Sequence, residues 1–363
     1  MHWQPTLGYA DGGQDLTDAA LYHPALAPFG EATSLPAFAY RSHAFSLLED
    51  EQIWTRSWVP VGAPVRIGNP GDLLPFTVGN HGIHLRRDAR GSLRAWFNFA
   101  QHGGCRFVPR QCQTGNKTDC FYTSCGFSKD RDVVPANADG SDVPEMYMFA
   151  GINPAKLVPV PVKQVGPLAF VCLRSDADPL EDQLEELGTA LESYQETGLL
   201  HLQHATAEGR FNWKLFTRAE ARLTPLDSGN ETHVGGFPNI SVRSIGDMLI
   251  VAHAQPVGME RTMVHADFFQ VRRAGVTSPL LDDDTSRIAI CRSRLAASIS
   301  TAELLHKHSV DALSAPARED DPWQWRFHRW YVPKLVARHR YVEQPIFTMP
   351  GRESNAGINS GPF

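Results

Sequence analysis

The sequence predicts an α+β protein in which a small all-β module precedes a larger domain of strands and helices. Short β-rich runs over 59–99, separated by Asn-Pro-Gly-Asp, Gly-Asn and Arg-Gly turn signals, indicate the module. Later strand patterns alternate with an amphipathic and a long helical segment, which is typical of a mixed domain. We therefore divide the chain into an N-terminal arm (1–45), a β-domain (46–157) and a larger domain (158–363).

The first elements follow from local composition. Residues 1–34 are rich in Gly, Pro, Ala and Asp and have little periodicity, which predicts an extended arm on the surface or on a neighbouring subunit. In 47–58 the apolar residues have helical spacing behind Ser46, whose hydroxyl suits an N-cap. This pattern predicts one short helix.

Elements of the larger domain follow from their periodicity. A strand pair is predicted over 161–176 and an amphipathic helix over 180–198. The remaining predicted elements are strands in 201–216, 241–258 and 260–273, and a helix around 285–308.

Composition excludes several classes of function. The 363 residues carry a formal net charge of −6, which provides no basic surface for nucleic acid or anionic membranes. No apolar run approaches the ~20 residues of a membrane span, and 1–16 lacks the pattern of a signal peptide, so we expect a cytoplasmic protein. Four of six cysteines lie between Cys105 and Cys125, which indicates a metal or cluster locus, or its remnant, rather than a secreted disulfide framework.

Four colinear stretches carry a resemblance to a known family. They are 35–104, 165–187, the FNWKLF of 211–216, and 237–269. Together they resemble the large (α-type) subunit of Rieske non-haem iron oxygenases. The resemblance implies a Rieske-like all-β domain, then a helix-grip-like domain in which an antiparallel sheet wraps a long helix, and assembly in three-fold rings.

The Rieske motifs are degenerate in this sequence. A Rieske [2Fe–2S] cluster requires two thiolates and two imidazoles, supplied as Cys-x-His and Cys-x-x-His. By the resemblance, Ala100 and His102 occupy the first pair of positions, and Cys120 and Thr123 the second. Ala100 has no ligating atom, and Thr123 replaces an imidazole.

Two interpretations of these loops remain open. One is a zinc site of the ligand type that suits tetrahedral Zn²⁺, built from His102, Cys105, Cys120 and Cys125. The other is a set of buried, reduced cysteines in a metal-free β-domain.

The mononuclear iron motif is degenerate in the same way. In the family, Asn-Trp-Lys-Leu precedes an acidic relay residue and two histidines, and a distant Asp completes the ligand set. Here 212–215 is intact, but Arg222 occupies the relay position, Pro225 that of the first histidine and Asn230 that of the second. Asp320, within an acidic turn, loosely matches the third ligand. A guanidinium beside a metal ion would oppose ligation.

Other candidate ligands are few in this half of the chain. His201 and His204 lie in a strand-like segment, where residues three apart face opposite sides of the sheet, so we expect a poor pair. Glu231 and His233 are the other local candidates.

The aromatic segment 322–331 combines large rings with Arg, a composition enriched at interfaces. It could equally be an internal packing segment. The interface candidates are Trp323, Trp325, Trp330 and Tyr331.

These patterns predict a catalytically inert α-like subunit. We expect this subunit to carry no cofactor of its own. Its partner would be an intact catalytic α subunit that carries [2Fe–2S] and non-haem iron, in a hetero-oligomer with three-fold symmetry such as stacked trimers, served by a reductase or ferredoxin. One alternative is an iron-independent enzyme or ligand-binding protein that uses a remodelled cavity charged by Arg218, Glu220, Arg222 and Asp227. The other is an oxygenase with non-family metal ligands.

Overall fold

The computed structural model describes residues 9–79, 81–97, 158–174, 177–194, 198–226, 231–272, 284–311 and 321–337. The strands are β1 (Ala10–Asp11), β2 (Gln14–Asp15), β3 (Val59–Gly62), β4 (Leu73–Val78), β5 (His81–Arg87), β6 (Leu93–Phe97), β7 (Pro159–Val160), β8 (Val162–Val165), β9 (Leu168–Val171), β10 (Gly198–Gly209), β11 (Glu231–Gly236), β12 (Ile240–Ile245), β13 (Met248–Gly258) and β14 (Arg261–Arg272). The helices are α1 (Phe38–Arg41), α2 (His43–Glu49), α3 (Leu180–Leu184), α4 (Glu186–Glu192), α5 (Phe216–Ala221), α6 (Asp284–Asp311) and α7 (Pro322–Leu335).

The larger domain is built on a five-stranded antiparallel sheet in the order β10-β14-β13-β12-β11. The 28-residue helix α6 packs against β10, β13 and β14 and buries Cys291, Leu295 and Ala302. The predicted α+β class, with an antiparallel sheet against a long helix, is therefore confirmed. In the described part of the chain, no helix has the length and apolar character needed to cross a membrane.

Two small antiparallel sheets form the β-module, in the orders β4-β5-β6-β7 and β3-β9-β8. Strand β7 pairs with β6, and β9 pairs with β3. Residues 159–171 therefore continue the sheets of the module, and strand pairing does not change at the boundary predicted between 157 and 158.

The N-terminal segment differs from the predicted extended arm. Residues 10–15 form a short hairpin and Ala19–Leu26 forms a 3₁₀ helix. Leu16 and Tyr22 are buried, and the Tyr22 hydroxyl donates to the Leu16 carbonyl at 2.6 Å. The large apolar side chains in this Gly- and Pro-rich segment fix it to the body of the protein.

Two predicted helix boundaries also change. Helix α2 begins at His43, because the Ser42 hydroxyl caps it by accepting a hydrogen bond from the Phe45 amide. The N-cap is therefore Ser42 and not the predicted Ser46. The helix predicted over 180–198 is interrupted at Glu185, whose φ of 48° is left-handed and separates α3 from α4.

The tight turn of the β8–β9 hairpin gives a stability prediction. Gly166 has a φ of +54°, and an added Cβ would overlap the backbone carbonyl of Leu191. We expect Gly166→Ala to lower the free energy of unfolding by about 1–3 kcal/mol. The alanine would adopt a left-handed backbone conformation, and its Cβ would clash with a backbone carbonyl that cannot move aside as a flexible side chain could. Gly91→Ala is the matched control, since its φ is +82° but nothing lies within 4 Å of an added Cβ. Urea unfolding that shows equal losses in the two variants would contradict the prediction.

Candidate functional site

The surviving Asn-Trp-Lys-Leu motif is a structural anchor. The Asn212 carboxamide oxygen accepts from the Lys214 amide at 3.3 Å, which starts a 3₁₀ turn where the sequence predicted a strand. The Asn212 Nδ2 donates to the carbonyl oxygens of Tyr40, at 3.2 Å, and Met259, at 2.8 Å. The motif therefore ties the N-terminal helices to the β13–β14 hairpin.

A buried ion pair lies beneath this anchor. Lys214 Nζ is 2.6 Å from Glu49 Oε1, and both side chains are almost fully buried. Tyr331 and Trp213 also donate to the Glu49 carboxylate. Burial lowers the pKa of Lys214, and the carboxylate of Glu49 opposes that shift. The ammonium also lies 5.2–5.8 Å from the ring centroids of Tyr40, Phe45, Trp213 and Tyr331.

Two guanidinium groups meet one carboxylate near the positions predicted for the iron motif. Arg222 Nε is 3.4 Å, and Arg218 Nε 3.6 Å, from Asp321 Oδ2. Asp321 Oδ1 caps α7 by accepting from the amides of Trp323 and Gln324 at 2.9 and 3.3 Å. Pro225 follows α5 and has no ligating atom. The carboxylate of Asp321 is therefore paired with two cations.

Two neighbouring acidic residues, Asp320 and Asp321, have to be distinguished at the predicted third-ligand position. Asp320, the predicted third ligand, lies outside the described residues, as do Asn230 and Asp227. The carboxylate that meets Arg222 belongs to the next residue, Asp321. The acidic turn offered several carboxylates, and the helix cap fixes the position of the one at Asp321.

A buried network of charged side chains adjoins this pair. Arg243 Nε donates to Glu220 Oε2 at 3.0 Å, and Ser298 and Ser241 donate to the same carboxylate. The Glu231 carboxylate accepts from Arg243 and Arg294. These guanidinium groups lower the pKa of Glu231 although burial opposes the shift. The network fills the space between α5, β11, β12 and α6 with paired charges.

Sequence analysis missed the two arginines of this network. A charged residue within the apolar strand run of β12 was the one available signal for Arg243. Glu231 and His233, considered as metal ligands, have protein partners instead: His233 Nε2 lies 3.1 Å from the Ser241 hydroxyl. Burial lowers the pKa of His233 to about 4.

The expectation that His201 and His204 face opposite sides of a strand is wrong. The β10–β14 register shifts by one residue between His201 and Gln203, and this bulge turns both imidazoles toward the same side. His201 Nε2 and His204 Nδ1 each lie 3.0 Å from Asp267 Oδ1. Even so, no group of three or more His, Cys, Asp or Glu side chains in the described ranges is arranged to hold a metal ion.

The Rieske-like loops fall in 98–157, outside the described residues. The predictions that lie there concern Ala100, His102, Cys105, Cys120, Thr123 and Cys125. Their ligand sets stay predictions.

The aromatic C-terminal segment packs within the chain over much of its surface. Phe237 lies between the rings of Trp323 and Trp330, with both centroid distances at 4.9 Å. The Trp325 indole donates to the Ala27 carbonyl at 2.9 Å. Tyr331 is fully buried, so as an interface candidate it is wrong. The three tryptophans are partly exposed and remain candidates.

One cleft of small-molecule size lies away from the degenerate iron motif. It has a volume of about 320 Å³ and lies between α2 and the β13–β14 hairpin, with Asn212 and Trp213 in its wall. Asp50, Trp54 and Glu260 also line it. Arg218 and Glu220, predicted to charge a remodelled cavity, are instead buried and paired elsewhere.

Curated proteins similar to this chain include the oxygenase subunits of two kinds of monooxygenase. The chain is 27% identical over 186 residues to the carnitine monooxygenase oxygenase subunit of Escherichia coli (strain K12), which covers 51% of this chain and 48% of that protein. It is 26% identical over 182 residues to the glycine betaine monooxygenase oxygenase subunit of Chromohalobacter salexigens, covering 50% and 40%. The chain thus spans about half the length of the curated relatives it matches. No family model matches it.

Solved structures extend the similarity over most of the chain. A quaternary ammonium Rieske monooxygenase superposes with a TM-score of 0.59 at 16% identity, covering 87% of this chain and 97% of that one. Naphthalene 1,2-dioxygenase superposes with a TM-score of 0.55 at 14% identity, covering 87% and 95%. These matches establish the fold. The sequence relatives confirm the predicted resemblance: the proteins similar to this chain are Rieske oxygenase large subunits.

Proposed function

We propose that this homologue of Rieske oxygenase large subunits is a catalytically inert α-like subunit. It assembles with an intact catalytic large subunit and supports that subunit's stability, assembly or substrate pocket during O₂-dependent oxygenation. Its own chain binds neither a [2Fe–2S] cluster nor mononuclear iron, and both groups belong to the partner. Zinc at the Rieske-like loops is the one metal that its own donors would suit.

The pairing of Asp321 with Arg218 and Arg222 is the observation that carries this proposal. A carboxylate near the degenerate iron motif has two guanidinium partners within 3.4–3.6 Å. Arg222 stands where the family has an acidic relay residue, and Pro225 where it has a histidine. The fixed positive charges of Arg218 and Arg222 beside the predicted iron position oppose the binding of a divalent cation, since like charges repel strongly in a poorly solvated interior.

The preserved framework supports assembly rather than loss of structure. The Asn212 hydrogen bonds and the buried Glu49–Lys214 pair hold the N-terminal helices on the larger domain. The chain therefore keeps the shape of the subunit while its iron motif is filled by protein charges. We place the inert chains in a separate ring stacked on a catalytic ring, or in a ratio that preserves contacts between active subunits.

Metal analysis of the chain alone tests the inert character. The chain is purified anaerobically, and iron, zinc and acid-labile sulfide are measured together with the visible spectrum. We expect no iron, no sulfide and a colourless protein. A brown protein with about two irons and two sulfides per chain, the content of one [2Fe–2S] cluster, would overturn the proposal.

Co-purification tests the partner. The chain is co-expressed with an intact large subunit from the same organism, and only one of the two carries a tag. We expect joint elution in a size-exclusion peak larger than either protein alone. Separate elution would contradict the assembly role even if the chain binds no iron.

A ligand-binding role is the second candidate function. The cleft of about 320 Å³ beside Trp54 favours it, because small-molecule sites begin at roughly 300 Å³. A thermal shift of the isolated chain with a small-molecule panel, in the absence of joint elution, would favour this candidate over the first.

A further inference from the structure

A small cavity lies where the β-module meets the sheet of the larger domain. It has a volume of about 20 Å³ and is lined by residues of β3 and β4 on one side. On the other side it is lined by Asn239, which precedes β12, and by residues of β13 and β14. A cavity needs roughly 10–15 Å³ to hold a water molecule. This cavity therefore has room for a single water.

Asn239, in the wall of the cavity, has one hydrogen-bonding atom that the protein does not satisfy. Its Nδ2 donates to the Ala254 carbonyl at 2.5 Å, which fixes the orientation of the carboxamide. Its Oδ1 is buried and has no hydrogen-bond partner among the described residues. A buried carbonyl oxygen without a donor is unfavourable, because it has lost its hydrogen bonds to solvent. The position therefore requires a donor.

His253 is the second polar group in the wall, next to Asn239. The Ala254 amide donates to the Asn239 carbonyl at 3.1 Å, which places the two side chains at adjacent positions of paired strands. Burial lowers the pKa of His253 to about 3, so near pH 7 its imidazole has one N–H donor and one acceptor nitrogen. Within the described residues the imidazole makes no hydrogen bond, and it stacks on His265 at 4.9 Å.

Gln255, the nearest other amide in the wall, cannot satisfy Asn239. Its Nε2 donates to the Thr77 carbonyl at 3.1 Å, and its Oε1 lies 2.8 Å from His265 Nε2. Rotation toward Asn239 would break both contacts. The donor has to come from a molecule inside the cavity.

The charges of the wall favour a neutral molecule. The Arg66 guanidinium also lines the cavity, and its positive charge opposes a metal cation. The Asn239 carboxamide oxygen is an acceptor and opposes an anion. A neutral molecule of one heavy atom that both donates and accepts hydrogen bonds fits the volume and the wall.

We propose that this cavity binds one ordered water molecule, which donates to Asn239 Oδ1 and shares a second hydrogen bond with the His253 imidazole. A water molecule can donate two hydrogen bonds and accept two, so it satisfies both side chains at once. Because the cavity lies between the β-module and the larger domain, the water is part of the contact between them. This inference does not depend on the proposed function.

A high-resolution crystal structure of the full chain at neutral pH tests the proposal directly. We expect one ordered water about 2.7–3.2 Å from both Asn239 Oδ1 and a His253 ring nitrogen. A cavity without density for a water, or a water that contacts neither side chain, would overturn the inference.

Nuclear magnetic resonance of the deuterated protein provides the solution test. A long-lived bound water should give a cross-peak to the Ala254 amide with the sign of a slowly tumbling molecule. The absence of this cross-peak in the wild-type protein would contradict the proposal.

Two variants test the assigned partner. His253→Phe keeps a ring of similar shape but removes both hydrogen-bonding nitrogens, so we expect the cross-peak between water and the Ala254 amide to be lost. His233→Phe is the matched control, because His233 is also a histidine whose pKa burial lowers but it does not line the cavity. The cross-peak should persist in the control. An unchanged cross-peak in a folded His253→Phe variant would overturn the assignment, and the wild-type measurements decide the case if that variant does not fold.

Discussion

Lys214→Met is expected to lower the free energy of unfolding by about 3–5 kcal/mol, the cost of breaking a buried ion pair. The ammonium of Lys214 is completely enclosed and lies 2.6 Å from Glu49 Oε1. Without it, the Glu49 carboxylate stays buried with only Trp213 and Tyr331 as neutral donors. Urea unfolding near neutral pH measures the loss.

A second substitution and a control isolate the ion pair. Lys214→Met combined with Glu49→Gln removes both charges, so we expect it to be less destabilising than Lys214→Met alone. Lys163→Met breaks a pair of similar geometry, at 2.9 Å from Glu181, that lies in water. It should leave the unfolding midpoint nearly unchanged, because solvent and salt screen exposed pairs. A Lys214 variant no weaker than this control would contradict the prediction.

The fold followed from periodicity more reliably than the site did. Alternation predicted the strands around 241–258 and 260–273, and helical spacing predicted the 28-residue α6. These hydrophobic patterns reflect which side chains are buried, and they can be read from residues that are neighbours in the sequence. The pairing of β7 and β9 with the first module was not visible, because strand partners are set by tertiary packing.

His201 and His204 show why a site is harder to predict than a strand. The strict two-residue alternation of a strand places residues three apart on opposite faces. One extra residue at the bulge reverses that conclusion, and no local signal marks it. Their common partner, Asp267, lies more than 60 residues away in sequence.

The degenerate iron motif shows the opposite case. The identities of Arg222 and Pro225 carried the interpretation, because a guanidinium and a proline cannot do what a carboxylate and an imidazole do. The structure adds a partner that the sequence could not identify, the carboxylate of Asp321. It also adds Arg243 and Arg294, whose roles depend on Glu220 and Glu231 of other elements.

Mild acid is the second strong perturbation that we expect. Burial lowers the pKa of His253 and of His328 to about 3. The unfolded chain, with an ordinary histidine pKa near 6.5, binds two protons that the folded protein does not. Stability is therefore complete above about pH 6.5 and declines as the pH falls toward 3. At about pH 5 each histidine costs ~2 kcal/mol, and the pair ~4 kcal/mol.

That loss is large against the ~5–15 kcal/mol that stabilises a typical domain. Carboxylates cannot produce it, because they titrate mainly below about pH 5. Urea unfolding at neutral pH and near pH 5 measures the difference. His253→Gln and His328→Gln should each remove about 2 kcal/mol of it, whatever they do to stability at neutral pH. Burial lowers the pKa of His233 to about 4, so His233 adds a further loss of similar size, which should remain in both variants. His43→Gln is the control, since that side chain is already exposed in the folded protein.

The same experiment shows whether these histidines act through global unfolding. His253 and His328 remain enclosed until the chain unfolds, so their protons appear in the global unfolding free energy. The double His253→Gln and His328→Gln variant should keep only the share of the acid loss that His233, with a pKa of about 4, contributes. A double variant that kept the full acid loss would contradict the prediction.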